Sequence, residues 1–137
     1  MTIDQLRGDE LAGLRVLVVE DEPETLELVS MTLRSAGAEV IEASGAAAAL
    51  DRLASRAPHV VVSDLQMPDL DGFELVRRLK ERPVPPVAVA LSASASLEDA
   101  RRALAAGFAV HVAKPIGTTD LVETIRAIAP PTSTRPA

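Results

Sequence analysis

Val60-Val61-Val62-Ser63-Asp64 is a run of three β-branched apolar residues that stops at a hydroxyl and a carboxylate. Runs this short, bounded by turn signals, suit strands buried on both faces of a parallel sheet. The same design recurs three times. Val16-Leu17-Val18-Val19 ends in Glu20-Asp21, Val87-Ala88-Val89-Ala90-Leu91 ends in Ser92, and Val110-His111-Val112-Ala113 ends in Lys114-Pro115. A fifth, partly charged segment, Ala38-Glu39-Val40-Ile41-Glu42, suits the edge of a sheet. Ligands of open parallel sheets bind at the carboxyl ends of the strands. Three carboxylates, one hydroxyl and one lysine are therefore expected at one sheet edge, the raw material for a metal ion and a phosphoryl group.

Helical patterns fill the gaps between these runs. Pro23 stands where a helix would place its first residue, followed by Glu24 and Glu27 near the positive end. Leu26, Val29, Leu33 and Ala36 recur at helical spacing, and Gly37 closes that helix. Ser44 is expected to cap an alanine-rich helix with Leu50 and Leu53 on its core side. Asp71-Gly72 opens a helix with Leu75, Val76 and Leu79 inward. Ser96 is expected to cap a helix with Leu97, Ala100 and Leu104 on one face, ended by Gly107. Thr118 or Thr119 would cap a last helix carrying Leu121, Ile125 and Ile128. Five strands alternating with five helices predict an α/β doubly wound fold, a five-stranded parallel sheet with helices on both faces. The domain is expected over residues 14–129. An N-terminal extension (1–13) precedes it and a Pro-rich tail (130–137), disordered by composition, follows.

Bulk composition narrows the function. The 137 residues suffice for one domain. Without cysteine there is no thiol nucleophile and no thiolate zinc site, which fits the reducing cytoplasm. Apolar stretches fall short of the roughly 20 residues that span a bilayer, and Met1-Thr2-Ile3-Asp4-Gln5 has no signal-peptide character. A net charge of −6 argues against sequence-independent nucleic-acid binding. So does the absence of Tyr and Trp beside only two Phe, which leaves no base-stacking surface. The Arg77-Arg78 and Arg101-Arg102 pairs read as solvated helix faces.

The chemistry follows from the strand ends. A carboxylate such as Asp64 can attack phosphorus and form an acyl phosphate, but its own charge repels the incoming group. A divalent cation held by Glu20 and Asp21 would offset that repulsion, and magnesium accepts one or two carboxylates with water and phosphate oxygens. Lys114 offers a compact positive charge to one equatorial oxygen, and Ser92 a hydrogen bond to another. Before the phosphoryl group arrives, Lys114 is expected to pair with Asp64. Singly, each of these residues reads as a turn or cap; their recurrence at successive strand ends is what carries the assignment.

In Val18-Val19-Glu20-Asp21-Glu22-Pro23, Asp64-Leu65-Gln66-Met67-Pro68-Asp69-Leu70-Asp71-Gly72, Leu91-Ser92-Ala93 and Ala113-Lys114-Pro115, the chain resembles the receiver domain of two-component response regulators. The resemblance covers residues 14–129. It implies a flavodoxin-like (βα)5 fold of strand order 2-1-3-4-5. By resemblance, Asp64 is the phosphoacceptor, Ser92 the switch hydroxyl and Lys114 the phosphate-binding lysine. Mg2+ or Mn2+ would be held by Glu20, Asp21, Asp64 and the backbone carbonyl of Gln66, with Gln66 and Ser94 tuning dephosphorylation. The Lys114-Pro115 bond would be cis. The resemblance further implies a histidine kinase or histidine phosphotransfer domain as donor. A downstream protein, or a second copy of the chain, would then meet the surface of residues 96–129.

His111 departs from the pattern. It stands where such domains usually carry a rotating Tyr or Phe, and an imidazole there would make the readout depend on pH near neutrality. Two other readings compete. A small phosphohydrolase with Asp64 as nucleophile is disfavoured by Gln66, which occupies the position of a general acid. A phosphorylation-independent scaffold is disfavoured by the complete residue set. The Leu11-Ala12-Gly13-Leu14-Arg15 lead-in resembles the linker before receivers fused to hybrid kinases, so either a free-standing protein or a domain of a larger one is expected.

Overall fold

The computed structural model describes residues 8–67, 71–93, 96–114 and 117–130. Strands and helices alternate along the chain: β1 (Arg15–Val19), α1 (Pro23–Ser35), β2 (Glu39–Ala43), α2 (Ala46–Ser55), β3 (Val60–Asp64), α3 (Gly72–Lys80), β4 (Val87–Ser92), α4 (Leu97–Ala106), β5 (Val110–Ala113) and α5 (Thr118–Ile128). All pairings are parallel, and the sheet order is β2-β1-β3-β4-β5. The predicted architecture is therefore the observed one.

Side chains alternate across the sheet with a period of two, and both faces are apolar. Leu17, Val19, Val61, Ala88 and Ala90 pack with α2, α3 and α4 through Leu53, Leu75, Val76, Leu79 and Ala103. Val16, Val18, Val60, Val62, Val89 and Leu91 pack with α1 and α5 through Val29, Leu33, Leu121, Val122 and Ile125. This two-sided burial explains why the central strands read as unbroken apolar runs. The edge strand β2 has the half-buried, charged pattern expected of it.

Helix ends are settled locally. Asp71 accepts a hydrogen bond from the Glu74 N–H at 2.8 Å, and Ser96 one from the Asp99 N–H at 3.1 Å. Gly107 ends α4 at φ +124°, a conformation that favours glycine. Two expected caps move. Gly45, not Ser44, is the N-cap of α2, and Gly117, not Thr118 or Thr119, is that of α5. Ser44 stands one residue before the cap of α2, and Thr118 and Thr119 fall inside the first turn of α5.

The direction of one helical face also differs from expectation. Ala103 is the buried residue of α4, while Leu97 and Leu104 are 65% and 51% exposed. Spacing puts Leu97, Ala100 and Leu104 on one flank but does not say which way that flank turns. α4 packs against α3 and β5, and small side chains suffice at those contacts.

Part of the N-terminal segment packs onto the domain. Leu11 is fully buried among Leu14, Leu33 and Ala36, and its N–H donates to the Ala36 carbonyl at 2.8 Å. Removing that side chain should leave an unfilled space, so Leu11→Ala is expected to cost about 2–4 kcal/mol in urea unfolding followed by far-UV circular dichroism. Gly72 is constrained more tightly. A Cβ there would lie 2.5 Å from the Asp64 carbonyl oxygen and 2.9 Å from Leu65 Cα. Both neighbours are backbone, so Gly72→Ala must displace α3 from the end of β3. It is expected to destabilise by about 1–3 kcal/mol, and amide chemical-shift changes should extend from residue 72 to Asp64 and Leu65.

Candidate phosphoacceptor site

Parallel register brings the strand ends to one edge. Val19 pairs with Ser63, Asp64 with Leu91 and Ser92 with Ala113. Backbone hydrogen bonds carry the alignment past the strands. The Glu20 N–H donates to the Ala43 carbonyl at 3.0 Å, the Leu65 N–H to Leu91 at 3.1 Å, and the Lys114 N–H to Ser92 at 2.7 Å. Glu20, Asp64, Ser92 and Lys114 are thus each fixed by a ladder rung at or beside their own position.

The edge gathers Glu20, Asp21 and Asp64, whose nearest carboxylate oxygens all lie within 4.8 Å of one another. Lys114 Nζ donates to Glu20 Oε1 at 2.5 Å and to Asp64 Oδ2 at 3.4 Å. The expected Lys114–Asp64 pair is present, but the shorter bond goes to Glu20. Glu20 has the longer reach and is almost wholly buried, 1% exposed, so it has the greater need of a counter-charge. Its second oxygen accepts from the Glu22 N–H at 3.2 Å. Asp64 is buried, and its Oδ1 accepts from the Gln66 N–H at 3.3 Å. Asp21 is exposed. Two buried carboxylates and one open to solvent form an all-oxygen donor set of the kind that hard divalent cations prefer. The residues therefore fit magnesium or manganese.

The electrostatics are those of crowded carboxylates around one ammonium. Burial pushes the Glu20 carboxyl above its ordinary 4.5, with the Asp64 charge adding to the rise and Lys114 and the Glu22 N–H opposing it. For Lys114, burial favours the neutral amine, but the Glu20 hydrogen bond and the Asp64 and Glu20 charges outweigh it. Its value lies above the usual 10.5.

Ser92 is buried at the end of β4, next to Asp64's strand. His111 pairs with Ala90 on β5, and its Nε2 is buried with no hydrogen-bond partner among the described residues. Gln66 is exposed. Ser94 and Pro115, hence the expected cis bond, lie outside the described residues. Sequence reasoning missed Gly72 as the residue that seats α3 against Asp64. The Asp71-Gly72 pair marks a helix start but carries no sign of what the glycine touches.

Comparison with known proteins agrees with this geometry. The family model of the response regulator receiver domain matches residues 16–126. A 14.6 kDa protein of Leptolyngbya boryana is 39% identical over 118 residues, covering 85% of this chain and 90% of that one. The probable transcriptional regulatory protein TcrX of Mycobacterium tuberculosis is 37% identical over 114 residues, covering 82% of this chain but 48% of that one. This chain therefore spans about half the length of such regulators. Among solved structures, the chemotaxis response regulator CheY4 of Vibrio cholerae superposes with a TM-score of 0.77 at 28% identity, covering 83% of this chain and 97% of that one. The activated DrrB receiver domain, carrying BeF3, superposes with a TM-score of 0.77 at 27% identity, covering 83% and 95%. The chain belongs to the response regulator receiver domain family, whose members are phosphoacceptor switches of two-component signalling.

The Lys114 shift has a pH signature. A lysine held above its unfolded value contributes stability that is fully present below about pH 10.5 and is lost as pH rises through the folded value. In the metal-free protein, Lys114→Ala is expected to cost about 1–3 kcal/mol at pH 8, since it strands a buried carboxylate. That difference from wild type should hold to about pH 10 and narrow above it, as measured by urea unfolding at several pH values.

Proposed function

We propose that this chain is a phosphorylation-dependent switch in which Asp64 takes a phosphoryl group from a phosphohistidine. The donor is a histidine kinase or a histidine phosphotransfer domain. The supporting observation is the convergence of Glu20, Asp21 and Asp64 within 4.8 Å, with Lys114 Nζ touching two of them. In the reaction an Asp64 carboxylate oxygen bonds to phosphorus while the bond from phosphorus to the imidazole nitrogen breaks, and the nitrogen keeps the electron pair. The transition state spreads charge over three equatorial oxygens, so catalysis rests on positioning and neutralisation.

Glu20, Asp21 and Asp64, with the Gln66 carbonyl, would hold Mg2+ or Mn2+. When bound, the cation offsets the repulsion between carboxylate and phosphoryl group. Lys114 is already beside Asp64 and needs little movement to meet a phosphoryl oxygen. Ser92, one strand over, offers its hydroxyl to another. Both residues join elements of the 96–129 surface, Ser92 leading to α4 and Lys114 to α5. Drawing them inward shifts a pre-existing equilibrium of that surface. The surface then meets a downstream protein or a second copy of the chain. His111, on β5 within that surface, stands in the place of the readout ring. Gln66 and Ser94 set the phosphoryl lifetime. The reading places the chain in the cytoplasm, where phosphohistidine donors act.

The test is labelling by acetyl phosphate with magnesium. Wild type should be labelled and Asp64→Asn should not; labelling that persists in Asp64→Asn sinks the assignment. Beryllofluoride, which the DrrB receiver domain carries, should raise the melting temperature of wild type only when magnesium is present. No such rise is expected for Asp64→Asn.

A further inference from the structure

α3 and α4 run side by side on one face of the sheet, and a groove of about 280 Å³ lies between them, lined by Phe73, Arg77, Arg102, Ala105 and Ala106. The Arg102 guanidinium sits over the Phe73 ring, 4.7 Å from its centroid. This is a cation–π contact that holds the arginine at the lip of the groove. Both arginines are mostly exposed, with 62% of each side chain open to solvent. Their partners are weak and local. Arg77 meets Glu74 at 3.1 Å within its own helix, and Arg102 meets Asp99 at 3.9 Å within its own. Exposed pairs of this kind are weak and give way easily to a better partner.

Charge is distributed unevenly around this groove. The chain as a whole is acidic, at −6. Yet α3 carries Arg77, Arg78 and Lys80 against Glu74 alone, while α4 balances Arg101 and Arg102 with Glu98 and Asp99, so the local excess of positive charge lies on α3. The floor is apolar, a phenyl ring and two alanine methyls, while the rim is cationic. A cavity of this size takes one or two side chains rather than a drug-sized ligand, for which sites run from about 300 to 1,000 Å³. Arginine and aromatic side chains are the types over-represented at the energetic centres of protein interfaces.

We infer that the α3–α4 groove is a docking site for an acidic segment of a protein partner, which seats an apolar side chain over Phe73 while its carboxylates engage Arg77 and Arg102. The chain's net charge of −6 disfavours such a segment on average, so the local positive excess of α3 sets where it lands. The groove lies on the flank of α4 opposite Leu97 and Leu104. It goes beyond the switch proposed above and does not depend on phosphoryl acceptance.

The experiment uses the full-length, unphosphorylated 15N-labelled protein and a synthetic peptide in which Glu and Asp residues flank a central Leu-Phe pair. Amide shifts should concentrate at residues 73–77 and 102–106 and weaken as salt rises. The double variant Arg77→Glu/Arg102→Glu should lower affinity by about tenfold or more; Arg77→Gln/Arg102→Gln serves the same purpose if the reversed variant does not fold. A peptide with Lys in place of the acidic residues should leave these amides unmoved. The inference is overturned by shifts scattered over the surface or centred on Leu97 and Leu104, or by unchanged affinity in the neutralised variant. A short DNA duplex that moves the same amides at lower concentration would equally overturn it, because the groove would then read phosphate. Running the titration in Asp64→Asn separates this result from the fate of the phosphoacceptor assignment.

Discussion

Parallel register is the constraint on which the site depends. Because all five strands run in one direction, every apolar run delivers its last polar residue to the same edge, and a shift of one residue would turn each side chain to the other face. The pairings Val19–Ser63, Asp64–Leu91 and Ser92–Ala113 set the offsets. The rungs just beyond the strands, from the Glu20, Leu65 and Lys114 N–H groups, fix the residues that act. Residues 94 positions apart, Glu20 and Lys114, thereby share a hydrogen bond of 2.5 Å. The same geometry forces carboxylates together, and a lysine between Glu20 and Asp64 is what makes their burial tolerable.

Much of this was legible in the sequence because the signals were local and periodic. Strand runs bounded by Gly, Pro and charged residues, and helices with apolar residues at spacings of three and four, need only a few neighbours to be recognised. The strand-end residues could be read as a set because sheet topology brings strand ends together whatever the details. What escaped were features that depend on direction or on contacts between distant elements. Leu97 and Leu104 were correctly given a common flank, but only the packing of α4 against α3 and β5 reveals that the flank faces solvent. The shift of two N-caps to Gly45 and Gly117 reflects the same limit. Ser44, Thr118 and Thr119 carry the chemistry of a cap, while the approach of the chain decides which residue stands in the position. The burial of Leu11 follows from the turn through Gly13 that folds the segment back, which composition alone does not show.

Within the site, Lys114 illustrates how geometry refines a role. Sequence chemistry pairs it with Asp64, the residue whose charge is to be managed. The structure gives it two acceptors, and the better one is Glu20. The physical reason is unequal solvation. Asp21 is exposed, whereas Glu20 is enclosed and takes its hydrogen bonds from Lys114 and the Glu22 N–H among the described residues. The directions of the two titrations agree with this picture, Glu20 rising because it is enclosed among like charge and Lys114 rising because two carboxylates face it.

The same charge arrangement bears on how a phosphoryl group could reach Asp64 at all. A chain of net charge −6 with three carboxylates at the acceptor edge repels a free phosphate anion over the Debye length of about 8 Å at physiological salt. One lysine, already engaged by Glu20, cannot reverse that field. Under the proposed function, a cation at the carboxylates must therefore accompany the reacting group, and a donor protein whose own contacts hold the phosphohistidine in place makes the transfer faster than a small donor at millimolar concentration can. Docking replaces a bimolecular encounter with an intramolecular one and supplies the effective concentration that electrostatics denies. Under the proposed function, an acidic edge then slows transfer from small phosphates relative to transfer from a docked donor, so that labelling by acetyl phosphate should need magnesium and a large excess of the donor.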